Sequence, residues 1–439
     1  MTQLLIATSM VFLLLSCKKN DDNNNDPYKG YLYTSTNSSA GNAIIAMGRG
    51  SDGKLTELPG SPYATGSTGD AAEGDFDTQG ALRIFGDYLL AVNAGNNPAN
   101  GSISVFKINR GDGSLLQVDQ NTTTAAMDNA DSRGIRPASI AAKEIGGTSW
   151  IAVANQHSNP NFQMSPAVAF GSVASSPLRN VALFTFNRSN GLLEYKSIGA
   201  TYMDGNNGGP TTIDFNGAGT RIAVSTWGVT HFMTPDADLT KQKPGRLLIY
   251  NFVSGTMTQT GVFEELGISG NIGFSWSPND QYIYLSNFNL HSTKEGNSVT
   301  VHDAASATKI QNFATGGRND EGCWTWVSID KQKLYVVSFG ENIVSVFDIG
   351  ADNKLTKSLT PNFFARGGNV PMGDSKDMYQ TADNYLYVAG SYQSHTIAVF
   401  KMAGSGALSE ITGSPYAIPS SVGKTKDQHA FLGLTGFEK

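Results

Sequence analysis

Gly273-Phe274-Ser275-Trp276-Ser277-Pro278-Asn279-Asp280, then Gln281-Tyr282-Ile283-Tyr284-Leu285-Ser286-Asn287, then Ser298-Val299-Thr300-Val301-His302: this stretch decides how the chain is read. Apolar and small residues alternate in short runs, and a Pro-Asn-Asp turn divides the first two. No run keeps a helical period. The pattern predicts three short strands of an antiparallel sheet.

Working outward, the same sentence recurs. Its middle clause, an aromatic or aliphatic strand ending in a small polar residue, returns at 31–35, 89–93, 150–155, 221–225, 334–338 and 385–389. Its last clause returns at 102–106, 181–184, 247–250, 343–347 and 396–400, with a weaker version at 42–46. The closest copies are spaced by roughly the 40–45 residues of a four-stranded propeller blade. The chain is therefore expected to be all-β, a seven-bladed β-propeller of four-stranded antiparallel blades over residues 30–439. Helix should be nearly absent.

The first copy begins at Tyr31 with what is elsewhere the second strand, so its innermost strand is missing. One unassigned strand remains at the other end, His429-Ala430-Phe431-Leu432-Gly433-Leu434. This C-terminal strand is expected to join the N-terminal blade and close the ring, leaving no open edge. Each outer hairpin turns on a pair that tolerates positive φ: Asp52-Gly53, Asp112-Gly113, Asn190-Gly191, Asp352-Asn353 and Ser405-Gly406. The first and last copies also share Gly-Ser-Pro-Tyr-Ala, at 60–64 and 413–417, after the same strand.

Composition fits this reading. Of 439 residues 49 are glycine and only 15% are charged, which suits tight turns between strands buried on both faces. The net charge of −6, with no clustered Lys and Arg, argues against a nucleic-acid partner.

The N-terminus points to export. Leu4 to Leu15 form an apolar run too short to span a bilayer and of the length of a signal core. Leu14-Leu15-Ser16-Cys17 resembles a bacterial lipoprotein signal, which implies a signal peptide over 1–16 and lipidation of Cys17. Met1-Thr2-Gln3 lacks the usual positive charge, and an ordinary secretory signal or a buried N-terminal strand is the alternative reading. Residues 17–29 are polar and broken by Pro27, so they are expected to be a flexible tether. The acidic residues just after the cysteine look like the surface-export signals of some lipoproteins. The expected location is the cell envelope, on the outer membrane through the lipid on Cys17, as a monomer. Cys323 is then a lone thiol, read as a packed small hydrophobe.

With the blades laid out, the pattern resembles the lactonase-type seven-bladed propellers, the family that includes 6-phosphogluconolactonase and the fungal muconate-lactonizing enzymes. The residues that carry the likeness are those at 100–108 and 111–115, the Leu90-Ala91-Val92-Asn93 ending, and Gly-Ser-Pro-Tyr-Ala. The blade openings at 78–82, 136–140, 209–213 and 322–327 add to it. The resemblance implies the fold and, as one function, hydrolysis of a lactone. The family's catalytic arginines, glutamate and histidine find no one-for-one match.

In a propeller, the loops entering strand one and those leaving strand two meet at one mouth of the central channel. This chain places its long insertions there, at 156–179, 226–245 and 288–297. His157, His231, His291 and His395 fall in such loops and His429 enters the closing strand; histidines on one rim could form a metal or general-base site, but their spacing is not diagnostic, and neither metal nor cofactor is expected. Arg136 and His157 of the third blade, with Glu321 at the sixth, form the candidate catalytic set. The arginine would steady an oxyanion or an anionic substrate group while the histidine or carboxylate activates water. Asp374 and Asp427 hold comparable positions in blades seven and one. The candidate ligand-binding residues on the same rim are Gln79, Asn93, Asn155, Trp227, Asn287, Trp324, Tyr392 and His429, the exposed aromatics among them suited to stacking on sugar rings. Trp276 and Trp326 are assigned to packing between blades.

Two functions follow. One is an exported, lipid-anchored propeller that binds a small molecule, a glycan or an envelope protein at the looped mouth. The alternative is a lactone hydrolase, for which a phosphorylated sugar lactone is an unsuitable substrate outside the cytosol.

Overall fold

The computed structural model describes residues 27–69, 78–95, 101–156, 179–202, 209–228, 244–289, 296–315, 322–339, 342–358, 363–364, 375–390, 395–418 and 432–439. Seven antiparallel sheets of at least four strands stand around a central axis, and no helix occurs among the described residues. The deciding stretch forms the fifth sheet as expected, with strands Ile268–Trp276, Tyr282–Asn289 and Val299–Asp303. Its outer strand is Lys309–Phe313.

Burial explains why these runs are strands. The second strands Gly30–Ser35, Tyr88–Asn93 and Tyr385–Gly390 are buried at every residue, because each faces the neighbouring blade on both sides. Such strands read as continuous apolar runs. The outermost strand has one free edge and turns polar: Thr256–Glu264 is exposed or half-exposed at all but one residue. Seven apolar clusters fill the spaces between blades.

The hairpin glycines and the second-strand tyrosines, separate signals in the sequence, form one device. Tyr33 donates its hydroxyl to the carbonyl of Gly113 in the next blade's outer hairpin, at 2.8 Å. Tyr284 does the same to Asn353 at 2.7 Å, Tyr335 to Gly406 at 3.3 Å and Tyr387 to Gly53 at 2.8 Å. Gly53 has φ +82° and lies so close beneath Tyr385 that a Cβ would sit 2.4 Å from its ring. A side chain is thus excluded there by both backbone and space.

Closure follows the same rules. Strand Leu432–Glu438 pairs with Gly30–Ser35 and is the innermost strand of the first blade, so the C-terminus does complete the N-terminal sheet. The strand runs four residues beyond the expected Leu434, while His429 to Phe431 lie outside the described residues. The seam with blade seven carries its own cluster, including Leu32, Met47, Tyr387, Val399 and Leu434, and the Tyr387 to Gly53 bond. The repeated pentapeptide is also structural. Both Ser-Pro bonds are cis, and both Tyr-Ala pairs bridge to the third strand. Ser61 accepts from the Ala46 amide and donates to Glu57; Ser414 repeats this with Val399 and Glu410.

Candidate ligand-binding cavity

Inner strands from four blades converge on a segment that crosses the channel. Thr78, Gln79 and Gly80 enter from blade two ahead of strand Leu82–Phe85. The Thr78 hydroxyl sits against the carbonyls of Ala138 and Thr211, and its own carbonyl accepts from the Trp324 indole at 2.6 Å. Gln79 receives Ser139 Oγ at its carbonyl, donates its amide N–H to Thr212 Oγ1, and donates its side-chain Nε2 to the Phe274 carbonyl. Its Oε1 accepts from the Thr325 amide at 3.0 Å. One short segment therefore ties blades three to six and stops the channel.

Below this stopper lies a cavity of about 520 Å³. Its wall includes Gln79, Arg83, Thr212, Asp214, Ser275, Trp276, Thr325, Trp326, Asp377, Tyr379 and Thr435. It is rimmed by Gly217, Pro278, Asp280, Ile329 and Lys331, which belong to the hairpins between first and second strands. The cavity thus opens on the face opposite the long insertions.

Its inner charged groups are few and engaged. Arg83 Nη2 lies 3.3 Å from Asp214 Oδ1, and its Nε donates to the Ile140 carbonyl at 3.1 Å. Burial among protein atoms pushes the Asp214 carboxyl up, with Arg83 opposing it; 35% of its side chain still faces the cavity, so solvent screens much of that effect. Asp377 is only 6% exposed, and the backbone N–H groups of Gly80 and Gly433 lie near enough to its carboxyl to oppose the effect of burial. Burial dominates there and raises it to about 7, against Lys376, Arg83 and those two amides. A carboxyl raised towards neutrality beside a cleft makes Asp377 a candidate functional group.

The aromatic wall is the reverse of the expected one. Trp276 and Trp326, assigned to the core, are half-exposed and line the cavity. Trp326 donates to Gln380 Oε1 at 3.3 Å and meets Tyr379 edge-on at 6.0 Å, while the Trp276 indole nitrogen has no acceptor among the described residues. Trp227 and Trp324, expected at the rim, are 1% and 0% exposed. Trp227 lies flat against Gly270, where a Cβ would come within 1.9 Å, and Trp324 is bonded to Thr78. Both fill space between inner strands and present no ring to solvent.

The remaining rim candidates divide into engaged and undescribed. Asn93, Asn155 and Asn287 are fully buried clasps at the ends of second strands. Asn93 bonds Asn42 and Ser104, Asn155 bonds Ser132 and Asn180, and Asn287 bonds Asn271 and Thr300. Arg136 is 1% exposed at φ +55° and donates to Gln156 Oε1 at 2.6 Å. His157, Glu321, Tyr392, His429 and Cys17 lie outside the described residues. Cys323 is buried in the cluster between blades six and seven. Among the described residues no group of three or more His, Cys, Asp or Glu is placed to hold a metal.

No family model and no curated protein matches the chain. Solved structures do. A protein from Bacteroides fragilis provisionally assigned as a 6-phosphogluconolactonase is 14% identical, with a TM-score of 0.62 over 93% of this chain and 98% of its own. The periplasmic gluconolactonase of Pseudomonas aeruginosa is also 14% identical, with a TM-score of 0.61 over 92% and 99%. A Lactobacillus plantarum protein reaches 15% and 0.62. At these identities the likeness establishes the shared seven-bladed architecture.

Proposed function

We propose that the protein binds a small, hydroxyl-rich, sugar-like molecule in the central cavity. The observation that carries this is the wall itself: two half-exposed indoles, Trp276 and Trp326, beside Thr212, Ser275, Thr325, Tyr379 and the carboxyls of Asp214 and Asp377. Aromatic faces stack on the C–H face of a sugar ring, and convergent hydroxyls and carboxyls receive its O–H groups. A volume of about 520 Å³ lies within the usual range for small-molecule sites.

The state of Asp377 favours a second reading, hydrolysis of a lactone in the same cavity. A carboxyl near pH 7 can take a proton from water as that water adds to the lactone carbonyl, and return it to the ring oxygen as the acyl bond breaks. The periplasmic gluconolactonase among the similar structures supports this alternative.

The test is a calorimetric titration with D-glucose and D-glucono-1,5-lactone, with a pH-stat following acid release from the lactone. Saturable heat with either compound is expected, and acid release above the spontaneous rate selects the hydrolase. No binding across a wider panel of sugars and sugar lactones would remove the reading. We also propose, from residues 4–17, that the chain is exported and lipid-anchored at Cys17 on the outer membrane, where it meets its ligand or an envelope partner. Mass spectrometry of the membrane-extracted protein checks this; an unprocessed N-terminus without lipid would contradict it.

A further inference from the structure

Among the described residues, the charged groups lining the cavity are two cations, Arg83 and Lys331, and three carboxyls, Asp214, Asp280 and Asp377. Two of these stand at the rim, where Asp280 is committed to the amides of Gly217 and Ala218, each at 2.8 Å. Inside, one guanidinium faces two carboxyls, and its charge is matched by Asp214 at 3.3 Å. Lys376 adjoins Asp377 in the irregular stretch between Ser375 and Met378 and its charge opposes the rise of that carboxyl, but it is buried and is not among the residues lining the cavity. Its ammonium lies 5.9 Å from the centre of the Trp324 ring, which is bonded to the stopper segment.

We infer that the cavity discriminates by charge, admitting uncharged hydroxyl-rich ligands and rejecting their phosphate esters, with Asp377 and Asp214 as the discriminating groups. This rests on the reading of the cavity as a sugar-type site. A phosphate dianion entering it would pass Lys331 at the rim, lose water, find inside only the guanidinium of Arg83 already paired with Asp214, and face two carboxylates. A neutral polyol gives up less hydration and finds acceptors for its hydroxyls in the same two groups.

The experiment compares D-glucose with glucose 6-phosphate, and D-glucono-1,5-lactone with its 6-phosphate, by calorimetric titration at pH 8. It uses the wild type, Asp377→Asn and Asp214→Asn, each first checked for a wild-type circular dichroism spectrum. Asparagine keeps an acceptor oxygen for Gly80 and Gly433, and Asp214→Asn tests the same field should Asp377→Asn fail to fold. The expected result is an ester bound at least about tenfold more weakly than its neutral parent, the gap closing by about threefold or more in a folded variant. An ester bound as tightly as the parent by the wild type overturns the charge inference and leaves the sugar site standing. A gap unchanged in the folded variants overturns the assignment to these two residues. Binding of none of the four probes removes the sugar reading, and the charge inference with it.

Discussion

Asp377→Asn should make the protein more stable in alkali and change little in acid. The carboxyl is buried at 6% exposure and raised from 3.8 to about 7. In the folded chain it holds its proton where the unfolded chain has lost it, so folding becomes less favourable as pH rises through that window. At about 1.4 kcal/mol per unit, a rise of roughly three units corresponds to a ceiling of ~4 kcal/mol, complete above pH 7. Asparagine carries no charge and keeps an acceptor for Gly80 and Gly433, so the variant lacks this penalty. Urea unfolding at pH 5 and pH 8.5 reads the difference directly. The stability of the variant relative to the wild type should grow by about 2–3 kcal/mol between those two pH values. A relative stability that stays constant, or falls, with rising pH would refute the view that Asp377 is strained by burial in the channel.

Other consequences concern the frame. Tyr387→Phe removes the 2.8 Å bond that crosses the closing seam and strands the Gly53 carbonyl, at an expected cost of about 1–2 kcal/mol in urea unfolding; no change would show that the bond contributes nothing. Gly53→Ala meets both φ +82° and the Tyr385 ring 2.4 Å from the new methyl, and should lose about 1–3 kcal/mol, with an unaltered midpoint as the contrary result. His302 is buried between Thr300 Oγ1 and the Ala307 carbonyl, and burial lowers it to about 4. The unfolded chain takes its proton first as pH falls from 6.5 towards 4, so this group should withdraw ~3 kcal/mol over that range. A His302→Gln variant with the same acid slope would exclude that origin.

The frame was legible because its signals are local. Strand length, Asp-Gly turns and the repeated Gly-Ser-Pro-Tyr-Ala each report one blade, and a missing inner strand at one end with a spare one at the other implies closure. The site was not, because it exists only where seven inner strands converge. Alternation says which face of a strand a tryptophan takes but not how far along the channel it sits. Trp276 and Trp326 therefore exchanged roles with Trp227 and Trp324. The long insertions drew the reading to one mouth, whereas the described cavity opens at the other, among short hairpins that carry no length signal. A trace of the described cavity was present all the same. Arg83 and Asp214 each place a charge inside an otherwise apolar or neutral stretch of inner strand, as in Leu82-Arg83-Ile84-Phe85, where charges are rarely found unless paired or functional.

Filling the cavity is the most direct test of whether it is the ligand site. Thr435, on the closing strand, lines the cavity and is half-exposed, and tryptophan is well tolerated in strands. In a calorimetric titration with D-glucose or D-glucono-1,5-lactone, whichever the wild type binds, Thr435→Trp should abolish the heat while Arg136→Ala, at the opposite mouth, should leave it intact. Retained binding in a folded Thr435→Trp protein, together with loss in a folded Arg136→Ala protein, would place the ligand at the looped mouth and contradict the account.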